Sequence, residues 1–163
     1  MPDVLVVNAS PLIFLGNAGR LELLQAMGAG RVVVPELVFD EVISGGHTDK
    51  AAEAVAAAEW LEKIRVPELP ASVVAWDLGP GESSVIAAAL QETDARVVID
   101  DLNGRKCGLA HGLSVVGTLG IVVRAHRRGR IDDPRAVLLE LRVAGMWLSD
   151  AVIERALSIA GID

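Results

Sequence analysis

Short runs of branched apolar residues alternate along this chain with longer stretches whose apolar positions recur every three or four residues. Val4-Leu5-Val6-Val7 is an uninterrupted apolar run that stops at Asn8, and it reads as a buried strand. Arg31 to Val34, halted by Pro35, reads the same way, as do Arg96 to Ile99 and Ser114 to Val116. Ile64 to Val66 reads as a short strand or a loop. Helices are predicted between them. Ser10-Pro11 opens one, with Ser as cap and Pro in the first position. Gly19 to Met27 places Leu21, Leu23, Leu24 and Met27 inward, and Glu36 to Ile43 closes on Gly45-Gly46. Asp49 to Glu62 is alanine-rich and strongly helical. Further helices are predicted over Glu82 to Glu92, Leu102 to His111, Thr118 to Arg128, Asp133-Pro134 to Val143, and Ser149 to Ile159.

Strands without polar alternation, separated by helices, indicate a parallel sheet covered on both faces. The expected fold class is therefore α/β, three layers deep, around a short parallel sheet. A length of 163 residues suits one domain over 1–163, and a hydrophobic content of 52% is ample for a packed core. The single cysteine, Cys107, excludes an intrachain disulfide and a cysteine-based metal cage. Aromatics at 3%, with no tyrosine, argue against modules that read nucleic acid on exposed rings. The uncharged run from Cys107 to Val123 contains His111 and four glycines, and reads as helix end, strand and helix start rather than a membrane span. Asp3, and the lack of a basic stretch before the first apolar run, give no secretion signal, so a cytoplasmic protein is expected.

Charge changes the picture. Residues 1–100 carry 6 Lys or Arg against 15 Asp or Glu, whereas residues 101–163 carry 9 against 7. Between Leu102 and Ile131 stand Arg105, Lys106, Arg124, Arg127, Arg128 and Arg130 with no acid among them. An acidic protein with one basic stretch can still meet a polyanion, because the local field steers the encounter. A solvated helix face explains the same stretch.

In open parallel sheets, ligands bind outside the carboxyl ends of the strands. The polar residues there are Asn8 and Ser10 after the first strand, Asp100 and Asp101 after the third, and Gly117 and Thr118 after the fourth. Glu41 shares a helical face with Leu37 and Val38, and Glu82 one with Val85 and Ile86, so both acids are expected to point inward. Carboxylates gathered at one edge repel by several kcal/mol at an effective dielectric of ~20. A hard divalent cation with oxygen ligands relieves that repulsion. Each residue also has a plain structural explanation. Asp101 and Ser10 are helix caps by position, Glu82 suits a helix N-terminus, and Glu41 could pair with a basic side chain. A dinucleotide fingerprint, a P-loop and a nucleophile elbow are absent, and His47, His111 and His126 lack zinc spacing. His111 closes a helix and Cys107 lies on an apolar face, so both read as structural.

The ordered motifs are V-V-N-A-S-P-L-I (Val6 to Ile13), V-P-E-L-V-F-D-E-V (Val34 to Val42), G-P-G-E-S-S-V-I-A-A-A (Gly79 to Ala89), V-V-I-D-D (Val97 to Asp101), Arg105, and V-V-G-T-L-G-I-V (Val115 to Val122) followed by A-H-R-R-G-R-I. In this order and spacing, over about Val4 to Ile159, the chain resembles the PIN domain nucleases, most closely a prokaryotic branch similar to toxins of toxin–antitoxin pairs. The resemblance implies a Mg²⁺- or Mn²⁺-dependent endoribonuclease acting on single-stranded RNA and leaving a 3′-hydroxyl and a 5′-phosphate. Glu41, Glu82 and Asp101 or Asp100 match the family acids, with register favouring Asp101. Asn8 stands where the first family acid is usually Asp, with Ser10 beside it, and Thr118 matches a further polar position. The implied metal ligands are Asn8, Glu82, Asp100 and Asp101. Arg105, Arg124, Arg127 and Arg128 would hold RNA. A cognate antitoxin and a homodimer are the implied protein partners, and no membrane is involved. Because Asn8 brings no charge, the alternative is a weakly catalytic RNA- or antitoxin-binding module. A phosphatase of small phosphoesters is a third reading.

Overall fold

The computed structural model describes residues 2–45, 50–66 and 68–162. Five strands, β1 (Val4–Val7), β2 (Arg31–Pro35), β3 (Leu61–Ile64), β4 (Ala95–Val98) and β5 (Ser114–Val116), form one sheet in the order β3-β2-β1-β4-β5. Every pairing is parallel. Helices flank the sheet, giving the α/β architecture that the unbroken apolar strands predict. All four residues of β1 are buried, as a central strand covered on both faces requires. Each such side chain contributes roughly 1.5–3 kcal/mol on burial.

The helices are α1 (Ala9–Asn17), α2 (Glu36–Ser44), α3 (Lys50–Ala57), α4 (Ala71–Val74), α5 (Pro80–Leu90), α6 (Leu102–Ala110), α7 (Thr118–Arg127), α8 (Pro134–Val143) and α9 (Asp150–Ala160). Three caps behave as their sequences suggest: Asp101 accepts from the Gly104 amide, Asp133 from Ala136 and Ser149 from Val152. No described helix is long and apolar enough to cross a membrane, and Cys107 to Val123 divides into the end of α6, then β5, then the start of α7.

Several expectations are corrected. The alanine-rich helix ends at Ala57, not Glu62, because Leu61–Ile64 pairs with Val32–Pro35 as the edge strand β3. Ladder hydrogen bonds and burial of Leu61 outweigh local helix propensity there. The segment before β2 is a 3-10 helix, Leu21–Met27, rather than an α-helix. α1 begins at Ala9 with Asn8 in the cap position, so Ser10 lies inside the first turn and does not cap. α5 begins at Pro80, two residues earlier than expected, and α4 was not anticipated. Gly46, His47 and Asp49 lie outside the described residues. On α2 the buried positions are Val38 and Val42, while Leu37 is 54% exposed and Glu41 is exposed, so Glu41 stands on the rim of the core instead of pointing into it.

The chain winds outward from β1 through β2 to β3, then returns to the other side of β1 for β4 and β5. The direction of winding reverses between β1 and β4. At such a switch point the helices that follow the two strands diverge and leave a crevice above the carboxyl ends.

Candidate active site

The registers Val7↔Val98 and Val98↔Val116 bring the ends of β1, β4 and β5 to one level. Asn8 leaves the sheet first, its amide N–H bonded to the Val98 carbonyl at 3.0 Å. An asparagine in a helix cap position ordinarily bonds the first-turn amides, but Asn8 makes no such bond although it is only 3% exposed. Its side chain turns toward α5. A methyl group built on Gly81 would lie 3.6 Å from Asn8 Oδ1, 3.4 Å from Glu41 Oε2 and 3.5 Å from Val38 Cγ2. Three elements (the β1 end, α2 and the first turn of α5) thus direct two oxygens into the space that glycine leaves free. Gly81 does not adopt a left-handed backbone, so its conformation does not demand glycine; the space beside it does.

Glu82 follows in the same helical turn and is half-buried. Its carboxylate folds back over the start of the helix, with Oε2 at 2.5 Å from where a Gly79 side chain would begin. Glycine at 79 makes that return path open.

The two aspartates after β4 separate. Asp100 faces the end of β5: its Oδ1 accepts from the Thr118 amide at 2.7 Å and its Oδ2 from the Thr118 hydroxyl at 2.6 Å. Thr118 is fully buried, so this pair fixes the Asp100 carboxylate rigidly. Asp101 points the other way and caps α6 through the Gly104 amide at 2.7 Å. Gly117 permits a further approach, since a methyl group there would sit 3.0 Å from Asp100 Oδ1 and 3.2 Å from Arg105 Nη1. Ser10 is half-buried in the first turn of α1.

Asp100 and Arg105 line a cleft of about 470 Å³ with Gly117, Gly120, Arg124 and Trp147. Burial, then the charges of Arg96, Arg127 and Arg128, push the Arg124 guanidinium below the usual arginine range. Arg124 therefore lies among the like charges of Arg96, Arg127 and Arg128, a repulsion that an anion would relieve. Arg127 is partly engaged, donating to the Ile159 carbonyl at the end of α9 at 2.5 Å, and Arg128 is exposed. His111 and Cys107 lie outside the cleft lining. His111 joins the Cys107 carbonyl at 2.8 Å to the Ser72 hydroxyl at 3.1 Å, tying α6 to α4. Burial raises the Cys107 thiol above its ordinary pKa.

The structure thus brings together Asn8 with Glu41, and Asp100 with Thr118 and Arg105, around neighbouring strand ends. Among the described residues, no three of His, Cys, Asp and Glu form a group able to hold a metal ion by themselves. The donors present are hard oxygens, and the gap over Gly81 is lined by two of them. That set suits an ion that keeps several waters, as Mg²⁺ does with one or two carboxylates, and does not suit a zinc cage. Gly81 and Trp147 escaped the sequence reading, and Gly117 was read there only by its place after the fourth strand, not for the space it leaves beside Asp100 and Arg105. For the glycines, the signal was G-P-G-E and V-V-G-T directly preceding two of the candidate residues; for Trp147 there was none.

No curated protein gives a significant match to the chain. A family model described as a PIN domain matches residues 4–162. PIN domains are generally nucleases and typically use divalent metals, in keeping with an oxygen-donor site at the carboxyl edge of a parallel sheet. On that match, which takes in all five strands and every motif of the candidate site, the chain belongs to the PIN domain family.

Proposed function

We propose that the chain is a Mg²⁺- or Mn²⁺-dependent endoribonuclease that hydrolyses single-stranded RNA at the carboxyl edge of its sheet. The observation that carries this reading is the convergence of Asn8 Oδ1 and Glu41 Oε2 on the space beside Gly81, at the switch point where Asp100 also emerges. Asn8, Glu41 and Asp100 would hold the ion, with Glu82 beside them. When bound, a divalent ion offsets the charge of the scissile phosphate and makes a water more acidic. Thr118 orients Asp100 by donating to both of its oxygens, leaving their remaining lone pairs for the cleft. Arg105 and Arg124 hold the flanking phosphates from the same cleft. Asp101 acts through the fold, as the cap of α6.

End-labelled single-stranded RNA incubated with Mn²⁺, with and without EDTA, tests the proposal. Chelator-sensitive internal cleavage with 5′-phosphate products is expected. Intact RNA in every divalent ion, or hydrolysis confined to a small phosphomonoester, overturns it.

A second reading is a binding module with feeble turnover. Asn8 favours it, because an amide that shares the space beside Gly81 with Glu41 contributes no charge toward holding an ion. In either reading, a toxin role with a cognate antitoxin, and a homodimer, extend the proposal. Co-purification from cells expressing the neighbouring gene and the mass of the protein in solution test them.

A further inference from the structure

The loop between α8 and α9 presents an aromatic ring for which the fold supplies no packing. Trp147 is 87% exposed, whereas the residues on either side are anchored: Leu148 is 7% exposed and Met146 packs against the core. The Met146 amide is fixed to the Leu141 carbonyl at 3.0 Å, and Gly145 before it adopts φ +109°, a conformation that side-chain-bearing residues rarely take. The loop is thus pinned inward on both sides of a tryptophan held outward. An indole left in water forgoes the stabilisation of burial, which is large for so big a ring. Trp147 borders the cleft that also contains Asp100, Arg105 and Arg124.

We propose that Trp147 is a stacking platform for an unpaired nucleobase of single-stranded RNA, placed beside the phosphate-holding arginines of the same cleft. Charge complementarity selects this occupant over an apolar protein segment. Two guanidinium groups line the cleft, Arg127 and Arg128 follow Arg124 within four residues of the chain, and an unpaired nucleic-acid strand presents phosphates and flat π-faces together. A duplex hides its base faces within the stack, so the platform also supplies a reason for preferring single strands. The inference deepens the nuclease reading and rests on it for the choice of RNA.

The test is binding of a labelled single-stranded RNA by the whole chain in EDTA, followed by fluorescence anisotropy, so that cleavage plays no part. Trp147→Ala should weaken binding about tenfold and Trp147→Phe much less, with the salt dependence of both unchanged because no phosphate contact is lost. An abasic site in the bound stretch should weaken the wild type and leave Trp147→Ala unaffected. Equal affinity of wild type and Trp147→Ala overturns the platform, as does a wild type that binds duplex as tightly as single strand. Conversion of a dimer to a monomer by Trp147→Ala at unchanged RNA affinity overturns it too, and assigns the ring to an interface between copies. A wild type that binds as described yet cleaves nothing with Mn²⁺ keeps the platform and removes the nuclease reading.

Discussion

At the scale of single residues, the site turns on a missing methyl group. Gly81→Ala places a carbon in ordinary van der Waals contact with Asn8, Glu41 and Val38, so the fold can accept it. A glycine in a helix is disfavoured by up to ~1 kcal/mol relative to alanine, so the variant should melt at the same temperature or higher. The space for an ion is then occupied, and calorimetry should show Mn²⁺ affinity reduced at least severalfold. Unchanged affinity would mean that the ion, if bound, sits elsewhere. Asn8→Asp acts in the opposite direction. It sets a second negative charge near Glu41, which at an effective dielectric of ~20 and ~6 Å costs close to 3 kcal/mol before solvent screening. Because Glu41 is exposed, a loss of about 1 kcal/mol in metal-free stability is expected, with a lower Mn²⁺ concentration for half-maximal cleavage. Thermal melts with and without metal read both effects. The neighbouring aspartates should separate cleanly. Asp100→Asn should abolish cleavage, whereas Asp101→Ala should cost about 1 kcal/mol of stability through the lost cap and leave most cleavage intact.

Between elements, close approach is secured by small residues. Gly16 of α1 lies against α3, where a methyl group would come within 2.7 Å of the Ala51 Cα. Backbone cannot swing aside as a side chain does, so Gly16→Ala should separate the two helices and destabilise by roughly 1–3 kcal/mol, despite the better helix propensity of alanine. Chemical denaturation would measure this, and a neutral result would show that α3 shifts freely on α1. The same logic explains why α6 approaches β5 at Gly108, where a methyl group would meet Val115 Cγ2 at 2.9 Å. The short 3-10 helix before β2 and the loop ahead of α9 are likewise set by what they pack against, not by their own periodicity.

For the molecule as a whole, an ion pair closes the chain on itself. Arg20 clamps Glu140 of α8 through two hydrogen bonds, at 2.8 and 3.0 Å, across 120 residues of sequence. The hydrogen bond from Arg20, and then its charge, hold the Glu140 carboxyl below the usual glutamate range. A depressed carboxyl pKa stabilises the fold above its unfolded value of about 4.3, and this contribution is lost as pH falls through the lower folded value. Both partners are a third or more exposed, so the contribution is about 1 kcal/mol or less. Arg20→Gln should accordingly lower stability at pH 7 and lose its effect toward pH 2. A difference that persists at pH 2 would point to packing of the arginine stem instead.

Much of this protein is legible in its residues alone. Unbroken apolar runs such as Val4 to Val7 determine buried parallel strands, because both faces of the strand must meet apolar neighbours. Proline in the first position and Asp133 or Ser149 as caps determine where α8 and α9 begin, because those effects act within one turn. Asn8 and the aspartate pair stand out because each ends an apolar run, and Glu41 because its spacing puts it on one helical face with Leu37 and Val38. Tertiary structure alone decided the rest. Leu61–Ile64 became a strand because β2 offered a ladder that local helix propensity could not outweigh. Glu41 came to the rim because Val38 and Val42, not Leu37, face the core, a rotation of the helix that so short a pattern leaves open. Asp100 rather than Asp101 faces Thr118 because the end of β5 lies on that side of β4, and sequence contains no record of which strand will be the neighbour. The space beside Gly81 and the outward ring of Trp147 arise from elements far apart in the chain, and only packing brings those elements together.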